Sequence, residues 1–261
     1  MTDRKIFDLS GRVSLVTGAG SGLGRVFCEA MAEYGSAVVC VDINGDWAKD
    51  TASMIKDKGG TSFAIKGDVS NQREVKRVFE ETHEAFGRLD ILFNNAGVTA
   101  KGARLHEIPY DHWERIIRID LTGVFLCMQE GIRLMLPQKK GSIINTSSAA
   151  GLSAVLPYRS HYSAAKAGVI SLTKVAAREY GPDGIRVNAI APGMFAGTRL
   201  GESAGSTKEQ AKELVSRVSA ETPLRRVAEP SEIKGLALYL ASDASSYVTG
   251  SVFVIDGGHT A

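Results

Sequence analysis

The residues whose types and spacing best suit chemistry are Tyr162 and Lys166, in the stretch HYSAAK. A spacing of four places both side chains one turn apart on the same face of a helix. A phenol with an ordinary pKa of about 10 is a poor base at neutral pH, and a nearby cation lowers that pKa by stabilising the phenolate. The pair can therefore exchange a proton with an alcohol oxygen. Tyr158 lies farther from the lysine and directly follows Pro157, so Tyr162 is the predicted base.

A glycine-rich turn, TGAGSGLG over 17–24, follows the apolar run VSLVT and opens a helical pattern. Glycines allow a tight turn and a close approach to a pyrophosphate, and the start of a helix offers free N–H groups and a positive dipole end. The turn therefore indicates a dinucleotide site. Its predicted cofactor contacts are Gly18, Ser21, Gly22, Leu23 and Gly24.

An acidic residue, Asp42, closes the next apolar run, AVVCVD. A carboxylate at this place hydrogen-bonds the hydroxyls of the adenosine ribose and repels a 2′-phosphate. Ile43 follows it, and the glycine turn carries no basic residue before Gly22. These features predict NAD, not NADP, as the cofactor.

Short β-branched runs alternate with longer amphipathic stretches along the whole chain, which predicts a parallel sheet with right-handed crossovers. The fold predicted is α/β: a single doubly wound, Rossmann-type domain over 1–261, with a seven-stranded parallel sheet flanked by helices. Helices are expected at 24–35, 73–87, about 110–136 and 161–180. The predicted strands are 13–17, 37–42, 61–67, 89–94, 142–147, 185–191 and 251–256.

One segment, 193–222, interrupts this alternation of strands and helices: it is rich in Gly, Ser and Thr and then becomes helical. Long excursions inside compact α/β domains are usually functional. We therefore expect a substrate lid here, with a tolerated insertion as the alternative.

Taken together, these motifs make the chain resemble the short-chain dehydrogenase/reductase family from about Gly11 to Gly258. The motifs that carry the resemblance are TGAGSGLG, GDVS (67–70), NNAG (94–97), NTSSAAG (145–151), YSAAK (162–166), VNAIAPG (187–193) and VTGSVFVIDGG (248–258). The resemblance implies an oxidoreductase that interconverts a secondary alcohol (a polyol, sugar alcohol or cyclic alcohol) and its ketone by hydride transfer. It also implies that Tyr162 and Lys166 contact the cofactor, together with Asp68, Val69, Asn95, Ala96, Gly97, Pro192, Gly193, Phe195 and Thr198.

The resemblance also assigns roles around the proposed base. Ser148 would polarise the substrate oxygen, while Ser147 should point the other way if strand alternation persists. The spacing from Ser148 to Tyr162 is one residue longer than is usual in the family, which predicts a small insertion on the substrate side. His161 should face a different side of the helix and is given no catalytic role.

Asp120, in RIDLTGVF, is the departure from the family pattern, which ordinarily has an asparagine there to hold a water that relays protons from the lysine. An ionised Asp120 would pair with Lys166 through that water and partly cancel its effect on Tyr162, whereas a protonated one could imitate the amide. We predict a working relay, with activity shifted to alkaline pH.

The overall composition is that of an ordinary globular protein, with a formal net charge of +2 and no long run of like charges. It favours neither nucleic acid nor membrane as a partner. Cys28, Cys40 and Cys127 show no metal spacing, and no metal is expected. A cytoplasmic enzyme acting on a small molecule is expected, and the resemblance implies a homotetramer or homodimer. A non-enzymatic NAD-binding redox sensor and a related epimerase or dehydratase are the alternatives.

Overall fold

A computed structural model describes residues 3–99, 101–197 and 207–261. Its centre is a seven-stranded sheet in which every neighbouring pair is parallel, with strand order β3-β2-β1-β4-β5-β6-β7. The strands are β1 Val13–Thr17, β2 Ala37–Asp42, β3 Ser62–Lys66, β4 Ile91–Asn94, β5 Gly141–Thr146, β6 Ile185–Pro192 and β7 Val252–Ile255. The predicted α/β fold with a doubly wound, seven-stranded parallel sheet is confirmed.

Helices cover both faces of this sheet. They are α1 Gly22–Glu33, α2 Gly45–Asp57, α3 Gln72–Phe86, α4 Tyr110–Ile117, α5 Gly123–Met135, α6 Ser160–Tyr180, α7 Lys208–Glu221 and α8 Lys234–Ala241. A π-helical turn, Arg118–Thr122, joins α4 to α5, so the predicted single helix over 110–136 is two α-helices with a wider turn between them.

The core follows from the alternation of side chains along buried strands. In β1, Leu15 packs on the face covered by α3, α5 and α6, whereas Val16 packs on the face covered by α1, α2 and α8. All five residues of β1 are buried, as expected for a strand with helices on both sides. On the second face, Phe27 of α1 stacks on Phe93 of β4 with ring centres 4.8 Å apart.

The helices begin where the sequence supplies caps. Asn44 accepts hydrogen bonds from the backbone amides of Asp46 and Trp47 at the start of α2, and Asn71 caps α3 in the same way. The helix α2 was absent from the sequence prediction, and its buried stripe of Ala48, Thr51, Ala52 and Ile55 is mostly small and only weakly apolar.

The strand order reverses between β1 and β4, because successive strands run outward from β1 on one side and from β4 on the other. Crevices at the carboxyl ends of strands beside such a reversal are the usual ligand sites of open α/β sheets. Within the described ranges, no helix is both long and apolar enough to cross a membrane.

Candidate active site

A cavity of about 730 Å³ opens along the carboxyl edge of the sheet and crosses the point of strand reversal. Two predicted site residues do not line it: Gly24 lies behind the glycine turn, and Asp120 lies beneath the cavity wall. Thr198 and the 198–206 part of the predicted lid lie outside the described residues. The predicted site residues that line the cavity are Gly18, Ser21, Gly22, Leu23, Asp42, Asp68, Val69, Asn95, Ala96, Gly97, Ser148, Tyr162, Lys166, Pro192, Gly193 and Phe195.

The glycine turn is packed so closely that side chains would not fit. A Cβ on Gly24 would lie 2.0 Å from the carbonyl oxygen of Gly18, so Gly24 lets α1 approach β1. Gly18 and Gly22 have φ of 65° and 52°, in the left-handed region that favours glycine. The first residues of α1 therefore face the cavity with free amides, the arrangement that suits a phosphate group.

The carboxylate of Asp42 holds this turn from the end of β2. Its Oδ2 accepts from the backbone amide of Gly20 at 2.9 Å, and its Oδ1 accepts from that of Asn44 at 2.9 Å. The side chain is mostly buried but still lines the cavity. Asp42 therefore orders the loop and also presents negative charge to a ligand.

A second set of hydrogen bonds ties the end of β4 to the glycine turn. The hydroxyl of Thr17 accepts from the backbone amides of Asn95 and Ala96 at 3.0 and 3.1 Å. The side-chain amide of Asn95 donates back to the carbonyl of Thr17 at 3.0 Å. The side chain of Asn95, predicted to lie beside the cofactor riboses, thus also fastens the two loops together.

The predicted catalytic side chains meet at the other end of the cavity. Tyr162 and Lys166 lie one turn apart near the start of α6, and the lysine Nζ is 5.6 Å from the centre of the tyrosine ring. The hydroxyl of Ser148, just beyond β5, acts on the phenol of Tyr162 and lowers its pKa. Lys166 Nζ donates to the carbonyl of Thr146 at 3.0 Å, which fixes the ammonium beneath the phenol. Ser147 points away from the phenol and donates to the carbonyl of Lys166 at 2.8 Å.

Asp120 contacts Lys166 directly: Oδ2 lies 3.3 Å from Nζ, and both side chains are almost fully buried. Its Oδ1 accepts from the backbone amide of Val98 at 2.9 Å. Our expectation that an ionised Asp120 would reach the lysine through a water is therefore wrong, because the π-helical turn carries the carboxylate to the ammonium itself. Gly97 makes room for the ion pair, since a Cβ there would lie 3.0 Å from Asp120 Oδ2 and 3.3 Å from Lys166 Nζ.

Burial and charge act on these groups together. Burial raises the pKa of Tyr162; Lys166 lowers that pKa and Asp120 raises it. Burial also raises the pKa of Asp120, against the opposing pull of Lys166 and the Val98 amide. Burial alone would lower the pKa of Lys166, but Asp120 and Tyr162 outweigh it and raise that pKa, so the lysine is a stable cation.

The substrate end of the cavity is more apolar than the sequence indicated. The sequence places the walls of the substrate pocket near 98–104, 149–160 and 193–222, with a mixed set of side chains. Of these side chains, Leu156, Arg159 and Met194 line the cavity, whereas the others do not. Those outside it are Arg104, His106, Leu152 and Tyr158. Val98, Thr99, Val155, Leu214, Val215 and Val218 also line the cavity and fall within those expected ranges, whereas Ile119 and His259 do not. Ile119 lies in the π-helical turn and His259 near the end of the chain, and no local pattern marked either of them.

His161 points away from the cavity, into the packing of α6 on α4. It is fully buried, and among the described residues neither ring nitrogen has a hydrogen-bond partner. Burial lowers its pKa, and the nearby Arg159 and His112 lower it further, so the ring is neutral near pH 7. A neutral ring facing away from Tyr162 agrees with the absence of a predicted role.

Comparison with known proteins decides the family. A family model described as enoyl-(acyl carrier protein) reductase matches residues 18–260. A crystal structure of a short-chain type dehydrogenase/reductase from Mycobacterium marinum superimposes with a TM-score of 0.92 at 37% identity, over 98% of each chain. The chain belongs to the short-chain dehydrogenase/reductase family. As a short-chain dehydrogenase/reductase, it is an oxidoreductase that uses a nicotinamide cofactor, NAD or NADP.

Relatives of this short-chain dehydrogenase/reductase differ in what they act on. An uncharacterised oxidoreductase of Bacillus subtilis is 43% identical over 96% of this chain and 91% of its own. The cis-4-hydroxycyclohexanecarboxylate dehydrogenase of Sinomonas cyclohexanicum is 41% identical over 96% and 97%. A 3-oxoacyl-[acyl-carrier-protein] reductase of Synechocystis is 39% identical over 96% and 97%.

Proposed function

We propose that this enzyme interconverts a secondary alcohol and its ketone with NAD as the cofactor. The observation that carries the proposal is one continuous cavity with two chemically different ends. Asp42 and the glycine turn line one end, and Ser148, Tyr162 and Lys166 line the other. This pairs a site suited to the adenosine of a dinucleotide with a phenol suited to moving a proton.

The residues fit a nicotinamide dinucleotide because the close-packed glycines leave a backbone cradle at the start of α1. Gly18, Gly22, Asp42 and Lys166 would hold it, as would Pro192 and the other lining residues of the predicted set. When bound, the nicotinamide takes up or gives the hydride that oxidises or reduces the substrate carbon.

The chain's own residues supply the proton chemistry at the substrate oxygen. Ser148 donates a hydrogen bond to that oxygen and orients it toward Tyr162. The Tyr162 hydroxyl receives the alcohol proton in oxidation and returns it in reduction. Lys166 stabilises the phenolate, while Asp120 opposes that effect, so the proton transfer is tuned by the balance of the two charges.

The preference for NAD rests on Asp42. Its carboxylate lines the cavity where a 2′-phosphate would approach, and like charges there disfavour NADP. Asp42→Asn keeps an acceptor for the turn but removes the charge. We expect it to lower the ratio of kcat/KM with NAD to kcat/KM with NADP by about tenfold. A wild-type enzyme that prefers NADP would refute the assignment.

A cyclic secondary alcohol is the substrate type that we propose. Val155, Leu156, Met194 and Val218 offer apolar surface for a carbon frame. Two kinds of relative act on ring alcohols by name: the hydroxycyclohexanecarboxylate dehydrogenase and a 2,5-dichloro-2,5-cyclohexadiene-1,4-diol dehydrogenase that is 38% identical. Helix α7 contributes Leu214, Val215 and Val218 to the same wall, which supports a lid over the substrate.

The decisive experiment follows absorbance of the reduced cofactor with a panel of substrates, NAD and NADP side by side. The panel contains 4-hydroxycyclohexanecarboxylate, cyclohexanol, sugar alcohols and an acetoacetyl thioester. Turnover of ring alcohols supports the proposal, and turnover of the thioester alone would favour a 3-oxoacyl reductase. Cofactor binding with no turnover across the panel would favour a redox sensor.

A pair of tyrosine variants tests the role of the base. Tyr162→Phe removes the phenol that faces the cavity and should lower kcat by about 10²- to 10⁴-fold, the usual contribution of a general acid–base. Tyr158→Phe is the matched control, because that side chain is 61% exposed and lies outside the cavity. Equal losses in both variants would refute the assignment.

We also propose a homotetramer or homodimer. The support is an apolar surface depression formed by α5 and α6, which includes the exposed side chains of Phe125 and Val175. Light scattering of the purified protein would check the oligomeric state, and a monomer at micromolar concentration would contradict it.

A further inference from the structure

His259 is a polar side chain in an otherwise apolar part of the cavity wall. From the end of β6 onward, the described residues that line the cavity are apolar or glycine, with the exception of His259. Met194 belongs to this wall, as do Leu214, Val215 and Val218 of α7. A hydrogen bond between the imidazole and a bound molecule would form beside apolar surface, where such a bond is stronger than in water.

The turn that follows β7 holds His259 in place. The carboxylate of Asp256 accepts from the backbone amide of Gly258 at 2.8 Å. Gly257 has a φ of 68°, which favours glycine, and a Cβ there would lie 2.6 Å from Cγ2 of Thr222, which directly follows α7. The turn is therefore packed closely against the end of α7, and the backbone of His259 is fixed relative to the cavity.

The imidazole of His259 lies beside Glu221, the last residue of α7. Nε2 is 3.6 Å from Glu221 Oε2, which is longer than a normal hydrogen bond, and the Glu221 side chain is 51% exposed. Nδ1 makes no hydrogen bond with any described residue, yet it is not sealed off as the ring nitrogens of His161 are. Because the His259 side chain is only 11% exposed and lines the cavity, Nδ1 is accessible to a bound molecule.

His259 and the proposed base lie on different sides of the cavity. Ser148 and Tyr162 come from the end of β5 and from α6, whereas His259 follows β7, two strands further along the sheet. Neighbouring strands are about 4.8 Å apart, so the ends of β5 and β7 are separated by roughly 10 Å. A small carbon frame with an oxygen at each end suits a gap of this size.

We propose that His259 binds a second hydroxyl group of the substrate, so that the enzyme acts on a diol whose two oxygens lie at opposite ends of a small carbon frame. This inference rests on the proposed function and narrows its substrate class. A hydroxyl both donates and accepts, so it can pair with the imidazole in either tautomer. The carboxylate of Glu221 beside the ring disfavours an anionic group at the same place. Met194 and Val218 then cover the carbon frame between the two oxygens.

The first test compares two substrates that differ only at the second oxygen. These are trans-cyclohexane-1,4-diol and trans-4-methylcyclohexanol, assayed by absorbance of the reduced cofactor. The diol has two equivalent reactive hydroxyls, so its kcat/KM is halved before the comparison. We expect wild type to favour the diol by about 3- to 10-fold, the size of one hydrogen bond between uncharged groups. No preference in wild type would overturn the proposal, and a stronger His259-dependent preference for 4-hydroxycyclohexanecarboxylate would overturn the choice of a hydroxyl.

Three variants separate hydrogen bonding from shape. His259→Phe keeps a planar ring of similar size without the nitrogens and should lower the ratio of the two kcat/KM values to one or below. His259→Asn places an amide near the position of Nδ1 and should keep part of the preference. His106→Phe is the matched control, because that side chain is 73% exposed and lies outside the cavity. A ratio in His259→Phe as high as in wild type would overturn the proposal, as would a loss confined to the KM for NAD.

A binding measurement separates this proposal from the proposed function. With NADH or NADPH bound, neither alcohol can be oxidised, so the affinities of the diol and of 4-methylcyclohexanol, measured by ligand-observed NMR titration, do not depend on turnover. Tighter binding of the diol that is lost in His259→Phe supports the hydroxyl site even if no panel alcohol is oxidised. Equal binding of the two compounds refutes the hydroxyl site even if ring alcohols are oxidised.

Discussion

The ion pair between Asp120 and Lys166 can be tested by Asp120→Asn, a change that removes one buried charge and almost no volume. In the wild type, Asp120 raises the pKa of Tyr162 and so opposes Lys166. Without the carboxylate, the phenolate forms at lower pH. The acid limb of kcat/KM for alcohol oxidation should therefore move toward lower pH.

Distances in the site give the size of this movement. Lys166 Nζ lies 3.3 Å from Asp120 Oδ2 and 5.6 Å from the centre of the Tyr162 ring. The carboxylate is therefore within roughly 9 Å of the ring, where two unit charges at an effective dielectric constant of ~20 interact with about 2 kcal/mol. Since about 1.4 kcal/mol corresponds to one pH unit, the acid limb should move down by about one pH unit.

The substitution also changes hydrogen bonding. An asparagine oxygen can accept from Val98 or from Lys166, and its amide group then faces the other donor. Urea denaturation should show a loss of about 1–3 kcal/mol, the cost of one buried donor left unsatisfied. Lys166, which loses its counterion in this variant, should also release its proton at lower pH. The alkaline limb of the kcat/KM profile should therefore move to lower pH.

The assay is kcat/KM against pH for alcohol oxidation at saturating cofactor. The matched control is Asp111→Asn, because Asp111 is an exposed acid on α4. Superimposable profiles for wild type and Asp120→Asn would refute the electrostatic reasoning. An acid limb that moves upward would show that Asp120 assists the phenolate and does not oppose it.

Three further changes test the scaffold. Gly24→Ala places a Cβ against a carbonyl of the glycine turn, so it should lower the free energy of unfolding measured in urea by about 1–3 kcal/mol and weaken cofactor binding. The control Gly235→Ala, which has open space around it, should leave that free energy unchanged or raise it. Thr17→Val leaves two backbone amides of the loop after β4 without their acceptor, so stability should fall by about 2 kcal/mol or more and Thr17→Ser should restore it. Hydrogen bonding to Arg226 lowers the pKa of Glu232 to about 2, so the contribution of this pair to stability is present above pH 4.5 and is lost as the pH falls toward 2. In Glu232→Gln, the free energy of unfolding should therefore depend less on pH over that window, as measured by circular dichroism.

The sheet could be predicted from the sequence because several of its strands are nearly continuous apolar runs, and the glycine turn marks where the first strand meets a helix. Helix α2 was missed although its buried residues recur at helical spacing, because they are mainly alanine and threonine and do not stand out as an apolar face. The π-helical turn was missed because one extra residue in a helix leaves the local composition unchanged.

Within the candidate site, a spacing of four sufficed to pair Tyr162 with Lys166. The contact between Asp120 and Lys166 could not be predicted in the same way, since it depends on how the π-helical turn and α6 pack in space. The places of Ile119 and His259 in the cavity wall are a further case, because these residues come together only when separate elements fold over the sheet. Local spacing reports local geometry, whereas a site built from several elements also depends on the tertiary fold.

The π-helical turn has a consequence for the phase of the two helices that it joins. An α-helix advances about 100° per residue, so one additional residue rotates everything after it by that angle. Helix α4 packs on α6, whereas α5 packs on α3, and the offset lets two helices joined end to end pack against different neighbours. Deleting Arg118 or Ile119, which precede Asp120, should turn Asp120 by about 100° relative to α4 and so away from Lys166. The number of residues in the π-helical turn therefore helps to set the distance between Asp120 and Lys166, together with their electrostatic attraction.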